Sequence, residues 1–311
     1  MSDSKPAVLI VQPHLGVLSP LLEPDFTVWR LWEAPPLEAT QKIRALVVAG
    51  EFPLDQGLAE HLPNLGLIAC FTAGYDGVDL VWAAARGLKV THSPGVNEED
   101  VADQALGLML AAWRGIVEGD AIVRGGHWVA TEKRITPSLR SRRLGVVGLG
   151  AIGSAIARRA EPFGLDIAWW GPNEKPDARW PRASSLAALA DASDILVVAA
   201  RAGEENRRII DAGILKALGP HGLLVNVARG QLVDEDALIA ALKSGRLGMA
   251  ALDVFAAEPT PAERWAGVPN VVLSPHTAGA TSAAVPKMVA MTRENLRRFF
   301  AGEPLANPIV G

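Results

Sequence analysis

Three polar side chains stand just past runs of buried-type residues: Arg229 after LLVNVA, Glu258 after ALDVFAA and His276 after VVLSP. An arginine offers a planar fork of donors that grips a carboxylate at two points, and a histidine exchanges a proton near neutral pH. A carboxylate beside that histidine stabilises its charged form. Taken singly, each residue has an ordinary structural reading: Arg229 in a surface ion pair, Glu258 as a solvated loop acid, His276 as a core or capping histidine. Their joint placement downstream of a second motif favours shared chemistry on an organic acid. That motif is Gly148-Leu149-Gly150-Ala151-Ile152-Gly153, a G-x-G-x-x-G between a strand-like and a helix-like run. Its first glycine permits a tight turn, its second lets the backbone approach a pyrophosphate, and its third lets the helix pack closely, with the helix N-terminus facing the anion. Gly148, Gly150, Ala151, Ile152 and Gly153 are therefore expected to hold a dinucleotide.

Such residues need a sheet that delivers strand ends to one side. The runs GVVGLG (145–150), DIAWWG (166–171), DILVVAA (194–200), GLLVNVAR (222–229), GMAALDV (248–254) and NVVLSPH (270–276) read as six buried strands. Helical stretches such as SAIARRAEPFG and EDALIAALKSG separate them, which describes a doubly wound parallel sheet with ligands outside its strand ends. An earlier series, AVLIV (7–11), FTVWRLW (26–32), ALVVAG (45–50), LGLIACF (65–71) and KVTHSPG (89–95), predicts a second sheet of the same kind. Between the two lies a helical segment from Asn97, a fitting N-cap, to about Gly125. The segment from Ala283 onward predicts one more helix and an extended tail. The fold class expected is α/β, with two doubly wound parallel-sheet domains.

The 311 residues fit two domains, and 49% apolar with 21% charged residues is ordinary globular composition. Thirty basic against 34 acidic residues give a net charge of −4, so neither nucleic acid nor an anionic membrane is an expected partner. A single cysteine, Cys70, fits a reducing compartment, and six histidines without a His-x-x-x-His pair predict no metal site. The opening residues carry too short an apolar run for a signal peptide, and no stretch is long enough to span a bilayer, so a cytoplasmic protein is expected.

Cofactor choice turns on the end of the second strand of the later series. Many NAD-binding sheets place an acid there for the ribose hydroxyls, about 20 residues past the glycine turn. This chain has Gly171-Pro172-Asn173-Glu174-Lys175. Missing negative charge at Gly171, with Asn173 and Lys175 nearby and Arg201 one loop away, favours NADP over NAD.

The segments TAGYDGVDL (72–80), SPGVNEEDVADQALGLMLAAWR (93–114), GGHW (125–128), GVVGLGAIG (145–153), NVARGQLVDEDAL (226–238), ALDVFAAEP (251–259), SPHTAGAT (274–281) and FFAGEPLANPI (299–309) together resemble the D-isomer-specific 2-hydroxyacid dehydrogenases. The resemblance covers nearly the whole chain and looks most like the glyoxylate and hydroxypyruvate reductases. It implies a catalytic set of Arg229, Glu258 and His276, a substrate-carboxylate cradle at Ala73 and Gly74 with Tyr75 beside it, and further cofactor contacts at Ala228 and Asp253. It implies a flavodoxin-like substrate domain from both chain ends (1–96 and 285–311), a Rossmann domain inserted between them (97–284), and an active site in the cleft. A small 2-oxoacid substrate and a homodimer built around residues 97–143 also follow from it. The apolar LGLMLAAW run and Trp128 read as the face of that dimer. The helix carries Asp103 where relatives commonly have glutamate, and the segment after ILVVAA carries Arg201 near where many have proline. The alternative on the same fold is a non-catalytic dinucleotide-sensing regulator of corepressor type.

Overall fold

The computed structural model describes residues 5–132 and 135–309. The chain divides into two compact units, Met1–Asn97 with Thr281–Gly311, and Glu98–Ala280.

In the first unit, β1 (Ala7–Ile10), β2 (Thr27–Arg30), β3 (Ile43–Val48), β4 (Leu67–Cys70) and β5 (Lys89–Thr91) form a parallel sheet in the order β2-β1-β3-β4-β5. The apolar runs are continuous because both faces are covered. Val8, Ile10, Ala45, Val47, Leu67 and Ala69 face one core, which the helix Ala284–Ala301 closes with Ala284, Met288 and Leu296. Leu9, Leu46, Val48, Ile68 and Cys70 face the other. The alternation is the period of two that a strand imposes. The tail lies along β5: the amide of Ile309 donates to Val90 O at 2.9 Å.

In the second unit, β6 (Arg143–Val147), β7 (Asp166–Trp170), β8 (Ile195–Val198), β9 (Leu223–Asn226), β10 (Met249–Leu252) and β11 (Val271–Leu273) form a parallel sheet ordered β11-β10-β9-β8-β6-β7. Strand order reverses between β8 and β6, and a crevice opens at such a switch point outside the carboxyl ends of the strands. Each strand stops before the expected end of its run, since the residues beyond turn away as loops.

The segment read as one helix is two, Glu98–Trp113 and Ile116–Arg124, because Gly115 adopts the left-handed conformation at φ 59° and breaks the hydrogen-bond ladder. The apolar run within it is also corrected. Leu106, Leu108, Met109 and Trp113 are buried in this unit's own core. The large apolar residues left wet are Ile116, Val117, Val123, Val129 and Ile135, with Trp128 71% exposed. Of the 97–143 segment, Lys133 and Arg134 lie outside the described residues. Among the described residues, no helix is long and apolar enough to cross a membrane.

Candidate active site

The glycine turn follows β6 at the switch point, and its three glycines differ in what surrounds them. Gly148 sits at φ 90°, and a Cβ there would lie 2.6 Å from Ala200 Cα. A Cβ on Gly153 would lie 2.0 Å from Gly148 O. Around Gly150 there is nothing within 4 Å, and this residue caps the helix Ala151–Ala160. Two glycines are thus required by packing, and the third leaves open space at a helix N-terminus, where a pyrophosphate is favoured. This arrangement fits a dinucleotide.

At the end of β7, the carbonyl of Trp170 accepts from Gly148 N at 2.8 Å. Gly171 is buried, and a Cβ there would meet Trp169 Cζ3 at an ordinary 3.4 Å. Asn173 and Lys175 lie exposed in the following turn. Sequence reading missed Arg182, whose Nη2 donates to Gly171 O at 2.8 Å. Arg201 lies in the loop after β8, where its carbonyl accepts from Asn206 Nδ2 at 2.8 Å.

The polar set forms at the ends of β9, β10 and β11. Buried Asn226 ends β9 and clamps the next turn from both sides: its Oδ1 accepts from Ala228 N at 3.1 Å, and its Nδ2 donates to Arg229 O at 3.0 Å. Arg229 then stands extended, with Nη1 donating to Ala228 O at 2.7 Å. The neighbouring Gly230 lies so close to the β10 loop that a Cβ would fall 1.9 Å from Phe255 C. That loop is held in turn by buried Glu235, which accepts from Ala256 N and, at 2.7 Å, from Arg264 Nε. An acid in the run VDED reads as an N-cap, which Asp234 is; the burial of its neighbour Glu235 has no local signal.

Glu258 Oε1 accepts from Phe255 N at 2.9 Å, and Oε2 lies 2.6 Å from His276 Nδ1. Burial pushes the Glu258 carboxyl up, but the His276 hydrogen bond and charge, the Phe255 amide and the Arg229 charge outweigh it and hold the carboxyl below its usual range. Being ionised, it only accepts, so Nδ1 of His276 is the donor and Nε2 is left as the nitrogen that gains or loses a proton. His276 sits at φ 53°, a conformation that histidine adopts more readily than most residues. Asp253 keeps it there. The His276 amide donates to Asp253 O at 2.8 Å, while Thr277 N and Ala278 N donate to the Asp253 carboxylate at 3.1 and 3.0 Å. The visible work of Asp253 is therefore to hold the His276 loop. Glu258 and His276 are in contact, and the Arg229 charge acts on the Glu258 carboxyl, so the three lie in one polar group. Arg229 can bind a carboxylate, and the ion-paired His276 can deliver a proton to an oxygen beside it.

Ala73, Gly74 and Tyr75 belong to the first unit, in the loop after β4. Thr72 Oγ1 accepts from Gly50 N at 2.9 Å and donates to Glu51 Oε2 at 2.5 Å. Ala73 O lies 2.9 Å from His92 Nδ1, which as the nitrogen partner donates, and Tyr75 packs edge-on to His92 at 5.0 Å. These contacts hold the loop, and among the described residues no hydrogen bond is seen from the N–H groups of Ala73 and Gly74 to a protein acceptor.

Residues 106–278 match the model of the D-isomer-specific 2-hydroxyacid dehydrogenase NAD-binding domain. The chain belongs to that family. It is 40% identical over 309 residues to hydroxyphenylpyruvate reductase of Plectranthus scutellarioides, covering 97% of this chain and 98% of that one. It is 41% identical over 308 residues to a glyoxylate/hydroxypyruvate reductase of Arabidopsis thaliana, with the same coverage. The NADPH-dependent glyoxylate/hydroxypyruvate reductase of Sinorhizobium meliloti, solved with NADP and malonate, superposes with a TM-score of 0.89 at 35% identity over 99% of this chain and 97% of that one. The protein is thus an NAD(P)-dependent D-2-hydroxyacid dehydrogenase-family enzyme with a Rossmann cofactor domain.

Proposed function

We propose that this D-2-hydroxyacid dehydrogenase-family enzyme reduces a small 2-oxoacid of glyoxylate or hydroxypyruvate type to the D-2-hydroxyacid, with NADPH preferred to NADH. The observation that carries the reading is the 2.6 Å contact of His276 Nδ1 with an ionised Glu258, beside Arg229 and on the sheet that bears the glycine turn. A reduced nicotinamide held on this sheet would supply the hydride to the carbonyl carbon. His276 Nε2 gives the proton to the substrate's carbonyl oxygen, and Glu258 keeps the imidazole charged beforehand and oriented throughout. A general acid so placed contributes roughly 10²–10⁴-fold. Arg229 grips and polarises the oxoacid, and the N–H groups of Ala73 and Gly74, beside Tyr75, take its carboxylate. Gly148, Gly150, Ala151, Ile152 and Gly153 cradle the pyrophosphate. Ala228 and the Asp253-held loop border the nicotinamide, and Asn173 and Lys175 the adenosine end. The domains serving substrate and cofactor are the first and second units, respectively.

We assign the enzyme to the cytoplasm and to a homodimer through the exposed apolar residues Ile116, Val117, Val123 and Trp128, an area that a monomer rarely leaves wet. Light scattering at micromolar concentration should report twice the chain mass; a monomer overturns the dimer. The activity is tested by absorbance loss of NADPH and NADH with a panel of 2-oxoacids, for the wild type and His276→Asn. Asparagine tolerates the left-handed backbone, so the variant removes the acid alone. Turnover should fall at least about a hundredfold with cofactor affinity retained. No oxidation with any 2-oxoacid refutes the reaction, and near-normal turnover in the variant refutes the role of His276.

A further inference from the structure

We infer that Arg182 reads the adenosine ribose of the cofactor, its guanidinium taking a 2′-phosphate and Glu174 standing in as counter-ion when no phosphate is bound. The inference rests on the dinucleotide reading of the glycine turn and names the residue that decides which dinucleotide is preferred.

Position comes first. Gly148 N donates to Trp170 O at 2.8 Å, which ties the glycine turn to the last residue of β7. One residue on, Gly171 O accepts from Arg182 Nη2 at 2.8 Å, and Pro172 O lies 3.3 Å from the same nitrogen. The guanidinium is therefore fixed to the backbone that leaves β7, where a doubly wound sheet meets the adenosine ribose. At Gly171 itself no acid is present to take the ribose hydroxyls.

Rigidity comes next. Arg182 pairs with Trp169 as an isolated parallel bridge, with Trp169 N donating to Pro181 O at 3.0 Å and Ala183 N to Trp169 O at 2.8 Å. Its guanidinium stands 5.8 Å from the centroid of the buried Trp169 ring. Lys175, by contrast, sits in an exposed turn and must lose rotamer freedom to hold an anion. A guanidinium already oriented loses less and, with Nη2 held by the backbone, turns Nη1 to a phosphate oxygen.

Charge completes the case. The ion pair of Arg182 is with Glu174, 3.7 Å from Nη1 and beyond hydrogen-bond reach, and the Glu174 side chain is 87% exposed. Such a pair contributes little and yields readily to a phosphate dianion. While it stands, however, Glu174 opposes that phosphate. The two residues thus set the preference between them: Arg182 favours the phosphorylated ribose, and Glu174 moderates it.

The test is calorimetric binding of adenosine 2′,5′-bisphosphate and 5′-AMP to the full-length wild type, Arg182→Gln and Glu174→Gln. The wild type should bind the bisphosphate at least about tenfold more tightly than AMP, because a hydrogen bond between charged groups is worth that much. Arg182→Gln should remove most of the difference while AMP affinity changes less than about twofold. Glu174→Gln should tighten the bisphosphate a few-fold and leave AMP unchanged. Equal affinity of the wild type for the two nucleotides overturns the inference, as does a preference that survives Arg182→Gln. Should Arg182→Gln unfold, Glu174→Gln decides alone: an unchanged ratio overturns the pairing. If none of the proteins binds either nucleotide, the dinucleotide reading fails and the inference falls with it.

Discussion

Replacing Gly230 by alanine perturbs the active site without removing a polar group. The new Cβ would sit 1.9 Å from Phe255 C and O and 2.4 Å from Ala256 N, all of them backbone atoms. Ordinary contact begins at 3.4 Å, so the Arg229–Gly230 turn and the Phe255–Glu258 loop must part by about 1.5 Å. Neither side can yield cheaply. Asn226 clamps the first through two hydrogen bonds, and Glu235 holds the second through Ala256 N. The displaced group is Arg229 relative to the Glu258–His276 pair, and a misplacement of about 1 Å costs on the order of a hundredfold in rate. Overpacking of this kind also costs roughly 1–3 kcal/mol of stability. The assay is kcat and KM with the best 2-oxoacid, at a temperature below the melting point of either protein, beside urea unfolding. Gly119→Ala is the control: nothing lies within 4 Å of its Cβ, and its place in the helix Ile116–Arg124 predicts unchanged kcat and up to about 1 kcal/mol of added stability. Retention of kcat in Gly230→Ala to within about threefold, with wild-type unfolding, would refute the reasoning.

Glu258→Gln should lower kcat by about a hundredfold, since an amide cannot hold the imidazolium. The Glu258 carboxyl is held below its ordinary 4.5, so it adds stability that is present above that pH and lost as pH falls through the lowered value. Urea midpoints from pH 6 downward should therefore fall less steeply in Glu258→Gln than in the wild type; parallel profiles would remove the pair as a stability element. The buried Cys70 thiol is pushed up to about 12 by burial, with the Glu51 and Asp76 charges adding to it, so a thiol-directed disulfide reagent should label the native protein far more slowly than the unfolded one. Rapid native labelling would contradict that burial. Gly171→Asp meets only ordinary contact with Trp169 and should reverse the NADPH/NADH ratio of kcat/KM by repelling the 2′-phosphate; an unmoved ratio would take the ribose away from that corner.

The strands were legible because each is buried on both faces, which leaves an unbroken apolar run of fixed length. Their ends were not. NVVLSPH reads as strand to His276, but β11 stops at Leu273: Pro275 has no amide for the ladder, and the Asp253 carboxylate holds the amides of Thr277 and Ala278 in a loop. Gly115 looks in sequence like any tolerated helix glycine, and only its left-handed φ divides the segment. Arg229, Glu258 and His276 could be singled out from chain order, since consecutive parallel strands end on the same side. Asn226, Glu235 and Gly230 could not, because each acts on a segment that folding alone brings near. Arg182 escaped for the same reason, lying eleven residues past the corner that it contacts.

The first unit is written in two pieces, and this orders events on the ribosome. Residues up to Asn97 can lay down five strands, but the face carrying Val8, Ile10, Val47 and Ala69 has only the cover of Leu15, Leu18, Leu22 and Phe26 until the helix Ala284–Ala301 is made. In the meantime all of Glu98–Ala280 emerges, with its own two-sided core complete. Vectorial synthesis therefore delivers a finished second unit tethered to a half-roofed sheet, whose uncovered apolar residues are the kind of surface that chaperones grip and aggregates nucleate on. A nonsense codon or proteolytic cut near position 281 would strand the nascent chain in that state. Translation speed through the intervening 180-odd codons sets how long the nascent sheet must wait.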